Sequence, residues 1–296
     1  MSGFAADWLQ RREPFDAAAR DTDLARRFGA ALSEEQNRPR RIIDLAAGSG
    51  ANFRALAPLL GGDQDWLLVD HDPLLMAAQA AEIARWSQRE GWRCQDIDGG
   101  VRVDTEAAHW RVRAYRLDLA TDLEQVDFAA CDGVTTSAFL DLVSAAWLAR
   151  LCDVLAGFGR PLLATLTVDG RRHWHPSLPV DVRIDNAFRH HQSGDKGFGP
   201  ALGNLAGAYL ADRLATRGYK VTTARSDWWI GAEHREMLMH LVGEAAAVAC
   251  AAEPAASAEF HAWSAARTAQ IRSGLLALDV GHVDLHALPP GRSQCA

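Results

Sequence analysis

The amino-acid sequence predicts an α/β fold with a mostly parallel central sheet. From Arg41 onward, short apolar runs alternate with longer stretches whose apolar residues recur at helical spacing, which is the pattern of strand–helix units. The first run also passes through the tiny residues "AAGSG" directly into a helical pattern. Small residues at that junction are typical of the ligand-binding edge of a parallel sheet.

Seven runs are predicted to be strands. They are 41–46, 65–70, 110–119, 126–134, 160–168, 219–230 and the segment "DVGHVDLHALP". Between Gly91 and His109 the turn signal "DGG" predicts an added hairpin. The residues after 168 are rich in His, Pro, Gly and charge, which favours a loop region with a short helix.

The remaining segments predict helices around this sheet. Residues 5–33 predict a helix or a broken pair of helices, and 201–217 predict one opened by Pro200 and closed by Gly218. Helical patterns at 232–252 and 256–275 precede the last strand, and their stripe of Met237, Leu238, Leu241 and Val242 is typical of core packing.

We therefore expect a single domain over 1–296 with three parts. A helical cap spans 1–38, a cofactor-binding half spans 39–168, and a substrate-side half spans 169–296 with a helical insert at 232–275.

Composition narrows the function classes. The 296 residues carry a net charge of -7 and are 48% hydrophobic, which permits a large core and argues against a nucleic-acid binder. No apolar run reaches the length of a membrane span, and the N-terminus lacks a signal-peptide pattern. We expect a cytoplasmic monomer or homodimer.

Cysteine usage agrees with that location. The five cysteines are odd in number and never in C-x-x-C spacing, which predicts reduced thiols rather than disulfides or a zinc site. They are Cys94, Cys131, Cys152, Cys250 and Cys295.

The loop of small residues indicates what approaches the backbone there. Gly48 and Gly50 can adopt dihedral angles that side chains forbid, and they allow close contact with a ligand. A dinucleotide would require G-x-G-x-x-G, but Phe53 stands at the third position. A cofactor with an amino-acid tail, as in S-adenosylmethionine, fits better because Asp44 can hold its cationic amine.

Two later strand ends supply further carboxylates. Asp70 ends the second strand, where it can accept two hydrogen bonds from ribose hydroxyls. Asp118, in "RLDLATDL", can accept one from an adenine amino group, with Leu119 completing the edge. Asp96 and Asp98 are rival acids for the adenine.

With "DLAAGSG", "LVDHDP" and "RLDLATDL", the chain resembles the class I S-adenosylmethionine-dependent methyltransferases. The resemblance implies a doubly wound seven-stranded sheet with its last strand antiparallel, and S-adenosylmethionine as cofactor. Ala46 replaces the family's usual first glycine, and the insert at 232–275 is a second departure. The cofactor-binding residues it implies are Asp44, Ala46, Gly48, Ser49, Gly50, Asp70, His71, Asp118, Leu119 and Thr135.

In such a fold the methyl acceptor lies over the loops after the fourth and fifth strands. The candidate acceptor-side residues there are Thr135, Thr136, Ser137, Asp141, His173, His175, Asp185, His190, His191 and Lys196. We select His190, His175 and Asp141 as catalytic candidates, since histidine is a suitable base near neutral pH. Each histidine could equally be a surface residue, and Asp141 could face solvent. The histidines show no metal-site spacing, so no metal is expected.

Aromatic and basic residues leave two further alternatives open. Trp174, Trp228 and Trp229 could stack on a flat acceptor, whereas Trp66, Trp110 and Trp147 fit core packing. Arg12, Asp16 and Arg20 have i, i+4, i+8 spacing, which predicts a solvated charge ladder or an arginine beside the cofactor's carboxylate.

The sequence thus predicts methyl transfer to a small molecule, with no nucleic-acid or membrane partner. One alternative is a non-catalytic protein that binds S-adenosylmethionine or S-adenosylhomocysteine. The other is a nicotinamide-dependent oxidoreductase, against which Phe53 counts.

Overall fold

A computed structural model describes residues 6–32 and 38–291, so Cys295 and the start of the predicted cap lie outside the described residues. The helices are α1 Ala6–Ala19, α2 Thr22–Ala31, α3 Ala51–Leu60, α4 Pro73–Arg89, α5 Leu119–Asp122, α6 Ala145–Phe158, α7 Asp181–Gln192, α8 Ala206–Ala215, α9 Arg235–Ala252 and α10 Ser257–Arg272. The strands are β1 Arg40–Leu45, β2 Gln64–Asp70, β3 Arg93–Ile97, β4 Gly100–Asp104, β5 His109–Arg116, β6 Gly133–Ser137, β7 Leu162–His175, β8 Lys220–Arg225, β9 Trp228–Ile230 and β10 Ala277–Leu288.

The strands form one sheet in the order β3-β4-β5-β2-β1-β6-β7-β10-β8, and β9 pairs with β10. Strands β5, β2, β1, β6 and β7 are parallel, whereas β10 is antiparallel to both β7 and β8. The sheet has ten strands rather than seven because the predicted hairpin, β3–β4, extends one edge and β9 is separate. The Rossmann-like plan with an antiparallel last strand is confirmed.

Helices cover both faces of the sheet. Helices α2, α3 and α4 bury Phe28, Leu56 and Ile83 against one face. Helices α6 and α8 bury Leu148 and Leu210 against the other. Burial on both faces explains why the central strands read as continuous apolar runs.

Helices lie in both segments that were predicted to be helical outside the sheet. Helices α1 and α2 precede β1. Helices α9 and α10 pack on each other before β10, and α9 also packs on α7. The stripe of Met237, Leu238, Leu241 and Val242 is buried, as predicted for core packing. No helix among the described residues is long and apolar enough to cross a membrane.

The fourth predicted strand begins and ends later in the chain than expected. Strand β6 begins at Gly133 rather than 126, because Asp127 caps a 3-10 turn by accepting a hydrogen bond from the Ala130 amide at 3.2 Å. The Asp132 carboxylate then accepts a hydrogen bond from the Arg41 amide at 2.8 Å. Thr135 and Thr136 therefore lie within a strand and not after it.

The fifth strand is longer than predicted, and the helix predicted at 201–217 is shorter. Strand β7 continues to His175 because β10 pairs with it over most of its length, so His173 and His175 lie on a strand rather than in a loop. Helix α8 begins at Ala206 and not 201, since a 3-10 turn at Gly203–Leu205 precedes it and Ala201 pairs with Ser144.

The predicted sixth strand is divided in two. Strands β8 and β9 are separated at Ser226 and Asp227. The Asp227 carboxylate accepts hydrogen bonds from Arg171 and Arg225 and from the His282 amide. These contacts fix the chain between the two strands in place.

Phe53 belongs to an aromatic cluster in the core. Its side chain is fully buried and meets Trp66, Trp86 and Trp110 edge-on, with ring centroids 5.3, 5.6 and 6.2 Å away. Trp66 and Trp110 are thus core residues, as predicted. Phe53 occupies the position of the third glycine in a dinucleotide motif. Its side chain points from α3 into the hydrophobic core.

Replacing Phe53 with alanine is expected to lower the free energy of unfolding by about 3–5 kcal/mol, the usual cost of truncating a buried aromatic side chain. Urea unfolding followed by tryptophan fluorescence would measure this. Phe158, which is 49% exposed, is the matched control, and Phe158→Ala should cost less than about 1 kcal/mol. Equal losses of unfolding free energy in Phe53→Ala and Phe158→Ala would contradict a stabilising role for the aromatic cluster.

Candidate cofactor and acceptor site

The parallel strands bring the predicted acids to one edge of the sheet. Strand β1 lies between β2 and β6, and β5 lies beside β2. Asp44 is near the end of β1, Asp70 ends β2, and Asp118 follows β5. The Leu117 amide donates a hydrogen bond to the Asp70 carbonyl oxygen at 2.9 Å, which holds the third strand end next to the second.

The loop after β1 has the backbone that its small residues predict. Gly48 and Gly50 have φ angles of +52° and +81°, in the left-handed region, and Ala46 has φ +55°. A Cβ atom on Gly50 would lie 3.3 Å from Leu68. Glycine therefore provides both the conformation and the space at this position.

Side chains from three elements fix the loop. The Gly48 amide donates to Asp70 Oδ2 at 2.7 Å, and Gln79 donates to the Gly48 carbonyl oxygen at 2.7 Å. Arg54 donates to the Ser49 carbonyl oxygen at 2.8 Å. The loop is therefore held in shape before any ligand arrives.

Asp70 has a structural role as well as its predicted binding role. Its Oδ1 accepts a hydrogen bond from the Asp72 amide at 2.9 Å, in addition to the Gly48 contact at Oδ2. Each carboxylate oxygen has a second lone pair, so one further donor per oxygen can be accepted. His71 lies beside it, with 46% of its side chain exposed.

Of the three acids proposed for adenine, Asp118 lies nearest to Asp70 in the sheet. It is half-buried and caps α5, where its Oδ1 accepts from the Ala120 amide at 3.0 Å. Asp96 and Asp98 lie in the β3–β4 hairpin, beyond β5. Leu119 is buried, and its carbonyl oxygen accepts a hydrogen bond from Trp147 at 2.6 Å.

A chain of buried polar groups joins Asp44 to Arg20. Asn52, in the first turn of α3, donates to Asp44 Oδ1 at 2.7 Å and accepts from Arg20 Nη1 at 2.8 Å. It also donates to Thr135 Oγ1 at 3.1 Å. Thr135 is fully buried, and its hydroxyl oxygen helps to fix the orientation of the Asn52 side chain.

Arg20 is turned into this edge of the sheet rather than into a solvent ladder. Its guanidinium also donates to Thr165 at 2.5 Å and to Ser137 at 2.9 Å. Arg12 and Asp16 do form the predicted i, i+4 pair, at 2.9 Å. The predicted pairing is therefore present, but the Arg12 and Asp16 side chains are only 13% and 11% exposed, so the prediction of a solvated charge ladder was wrong.

The corner between α1 and α2 determines where Arg20 points. The Asp21 amide donates to Asp284 Oδ2 on β10 at 2.9 Å, and the Leu166 amide on β7 donates to Asp284 Oδ1 at 2.7 Å. Leu166 has φ +56°, at an irregularity in the β7–β10 pairing. One buried carboxylate thus anchors the residue after Arg20 to the sheet.

Two buried atoms of this network have no hydrogen-bond partner among the described residues: Arg20 Nε and Asp44 Oδ2. Burial raises the pKa of Asp44 to about 7, opposed by its bond from Asn52 and by the charge of Arg20. Burial lowers the pKa of Arg20, opposed by Asp16, Asp284 and Asp44. Unpaired buried polar atoms are costly, and a ligand that paired both would remove that cost.

Helix α1 packs on the glycine loop. A Cβ atom on Gly48 would lie 3.7 Å from the Leu9 side chain. Glu13 pairs with Arg54 at 2.8 Å, and Gln10 donates to Glu82 at 2.8 Å. A cavity of about 180 Å³ remains between α1, α3 and α4, lined by Glu13, Asp16, Ala17, Arg20, Ala51, Arg54, Ala55 and Trp86.

Asp141 is buried rather than facing solvent. It lies in a 3-10 turn, Leu140–Leu142, that follows β6, and it is 7% exposed. Its Oδ1 has no hydrogen-bond partner among the described residues. Burial raises the pKa of Asp141 to about 6, opposed by its own amide and by the charge of Arg12.

The histidine candidates are exposed. His175 is the last residue of β7, ten residues beyond Thr165, which corresponds to about 30 Å along a strand. Its Nε2 lies 2.8 Å from Asp279 Oδ2. His190 and His191 are exposed in the last turn of α7. We therefore do not propose His175 or His190 as the base.

The other acceptor-side candidates are spread over the molecule. His173 is exposed and Lys196 partly exposed, whereas Asp185 is buried 3.6 Å from Arg172. Trp174 and Trp228 are buried and Trp229 is 59% exposed. The described residues contain no group of three metal-ligating side chains.

Asp44 should make the stability of the ligand-free protein depend on pH. A folded-state pKa of about 7, above the ordinary 3.8, means that the folded state holds the proton more tightly. The stability that this group contributes is therefore present below pH 4 and is lost as pH rises to about 7. The Asp44→Asn variant has no carboxyl group to ionise and should not show this loss. Its free energy of unfolding, relative to that of the native protein, should therefore rise by up to about 4 kcal/mol between pH 4 and pH 8.

Chemical unfolding at several pH values would measure that gain. Asp23→Asn, at a residue whose side chain is 78% exposed, is the control and should follow the native protein. A stability difference between Asp44→Asn and the native protein that stayed constant with pH would contradict the assignment.

Comparisons with known proteins place the chain beside methyltransferases of solved structure. No family model and no curated protein matches the sequence. The chain is similar to an S-adenosylmethionine-dependent methyltransferase from Thiobacillus denitrificans in complex with S-adenosyl-L-homocysteine (15% identity, 96% of this chain, 99% of that one, TM-score 0.43). It is also similar to one from Geobacter sulfurreducens with the same ligand (14%, 92% and 92%, TM-score 0.42).

A third structure is the cyclopropane synthase MmaA2 from Mycobacterium tuberculosis (13% identity, 90% of this chain, 82% of that one, TM-score 0.44).

Proposed function

We propose that the protein is an S-adenosylmethionine-dependent methyltransferase acting on a small molecule. One observation carries the proposal: beside the glycine loop, a guanidinium atom, Arg20 Nε, and a carboxyl oxygen, Asp44 Oδ2, are buried without a hydrogen-bond partner among the described residues. Asn52 lies between them. The amino-acid tail of S-adenosylmethionine carries one carboxylate and one ammonium group, which match these two atoms.

Each end of the tail would have its own partner. Asp44 Oδ2 would accept a hydrogen bond from the ammonium group, and the positive charge would stabilise the ionised form of Asp44. Arg20 Nε would donate to the carboxylate, a charge-assisted contact. Gly48 and Gly50 leave the backbone bare for close approach.

The nucleoside would extend along the ends of β2 and β5. Asp70 keeps one free lone pair on each carboxylate oxygen for ribose hydroxyls. Asp118 uses Oδ1 for its helix cap. Within the described part of the chain Oδ2 accepts no hydrogen bond, so it would be left for the adenine amino group. His71 would line the same side, beside Asp70.

When bound, the cofactor supplies a methyl group already activated by its sulfonium. The residues of this chain then need to hold an acceptor in line with that group and to exclude water. Helix α1 lies over the glycine loop and would exclude water. The acceptor would lie between α1 and the turn that follows β6.

The nicotinamide alternative is less favoured, since the two unpaired charges match an amino-acid tail and not a pyrophosphate. Two ligands test this directly. S-adenosylhomocysteine should raise the melting temperature of the protein, and NAD should leave it unchanged. A higher melting temperature with NAD and no change with S-adenosylhomocysteine would contradict the proposal and favour a nicotinamide-dependent oxidoreductase.

The tail contact itself can be tested with Arg20→Met. S-adenosylhomocysteine should bind this variant about 10- to 100-fold more weakly, the scale for a hydrogen bond to a charged group. Methylthioadenosine, which lacks the amino-acid tail, should bind the variant and the native protein equally in isothermal titration calorimetry.

Arg26→Met, at an arginine whose side chain is 60% exposed, is the control and should bind both ligands normally. If Arg20→Met lost both ligands equally, or neither, the assigned tail contact would be wrong. Transfer of labelled methyl to a metabolite extract would then separate an enzyme from a non-catalytic binder.

A further inference from the structure

We propose that Asp141 is the general base of the reaction and that the methyl acceptor is a neutral hydroxyl group. This inference rests on the proposed function. It begins from a carboxylate oxygen, Asp141 Oδ1, that has no hydrogen-bond partner in residues 6–32 and 38–291 and belongs to a residue more than nine-tenths buried. A buried carboxylate oxygen without a donor is costly in the ligand-free protein, and an acceptor O–H would supply the donor.

The position of Asp141 agrees with that role. Ser137, the last residue of β6, accepts a hydrogen bond from Arg20 at 2.9 Å. The next amide, of Ala138, donates to the Thr165 carbonyl oxygen at 2.9 Å. The turn that carries Asp141 therefore starts immediately after the residues that hold Arg20, on the edge of the sheet where the reactive methyl group would lie.

The chemistry of a base selects the kind of acceptor. A neutral amine or thioether attacks the methyl group with its own lone pair and needs no base, whereas a hydroxyl is a weak nucleophile until its proton is removed. Arg12 on α1 acts on Asp141 through its charge, but Arg12 is itself paired with Asp16 at 2.9 Å. A buried carboxylate at this position therefore suits a neutral hydroxyl, which also donates the missing hydrogen bond.

The proposed step is balanced. A lone pair of the acceptor oxygen forms the new O–C bond to the methyl carbon while the C–S bond breaks. The electron pair of that bond remains on sulfur, which becomes a neutral thioether. The hydroxyl proton passes to Asp141 Oδ1, so the carboxylate loses its charge as the sulfonium loses its own.

The pH at which Asp141 ionises suits a base at neutral pH. Burial raises the pKa of Asp141 to about 6, so most of it is ionised at pH 7 and above, while it is a stronger base than an exposed carboxylate. The methylation rate should therefore rise with pH through about 6 and then level off.

The test uses S-adenosylmethionine labelled with carbon-13 in its methyl group, together with a metabolite extract. The carbon-13 shift of the product distinguishes methyl ethers from N-methyl and S-methyl groups, and a methyl ether is expected. With the acceptor so identified, Asp141→Asn should lower kcat about 100-fold or more and lose the rise with pH. Its affinity for S-adenosylhomocysteine should stay within about threefold of the native value, a change of less than 1 kcal/mol.

Asp141→Glu keeps a carboxylate and should retain part of the rate and a rise with pH. It serves as the second variant if Asp141→Asn fails to fold. Asp23→Asn is the control and should keep the native rate.

Label in an N-methyl or S-methyl product, or a native rate in Asp141→Asn, would overturn this inference and leave the proposed methyltransferase standing. Absence of S-adenosylhomocysteine binding by the native protein would instead overturn the proposed function. Binding of S-adenosylhomocysteine without any transfer of labelled methyl would contradict both the proposed enzymatic activity and the role of Asp141 as a base.

Discussion

The site depends on one side chain that separates two opposite charges. Asn52 bonds to Asp44 through its amide nitrogen and to Arg20 through its oxygen, so the two charged groups share a neighbour. A direct buried ion pair between them would satisfy both charges and leave no demand for a ligand. With Asn52 in between, each group keeps one unpaired atom, and the pair is suited to a zwitterion.

The surrounding fold holds this arrangement in place. Arg20 comes from the end of α1, Asp44 from β1 and Asn52 from α3, and Asp284 on β10 fixes the corner that follows Arg20. Four elements distant in sequence therefore converge on a few atoms. Burying these polar groups costs free energy, and the packing of helices on both faces of the sheet offsets that cost.

The sequence predicted what depends on local pattern. The strand–loop–helix unit around Gly48 and Gly50 and the strand end at Asp70 follow from apolar runs and small residues. Asp118, predicted to lie within the third strand, instead caps α5 two residues after that strand ends. The contacts of Arg20 could not be predicted, because its partners Asn52 and Thr165 lie 32 and 145 residues away. Asn52 itself carries only a weak signal, a polar residue in an otherwise apolar first turn. The extent of β7 was missed for a similar reason, because its polar second half is a strand only through pairing with β10.

The central claim is that Asp44 receives the ammonium group of the cofactor. At pH 6 Asp44, with a pKa of about 7, is mostly protonated, and the incoming positive charge should ionise it. Calorimetry of S-adenosylhomocysteine binding in buffers of different ionisation enthalpy should then show release of about one proton per site. No release should occur with methylthioadenosine or with Asp44→Asn. Binding of S-adenosylhomocysteine without proton release, or with the same release in Asp44→Asn, would contradict the account.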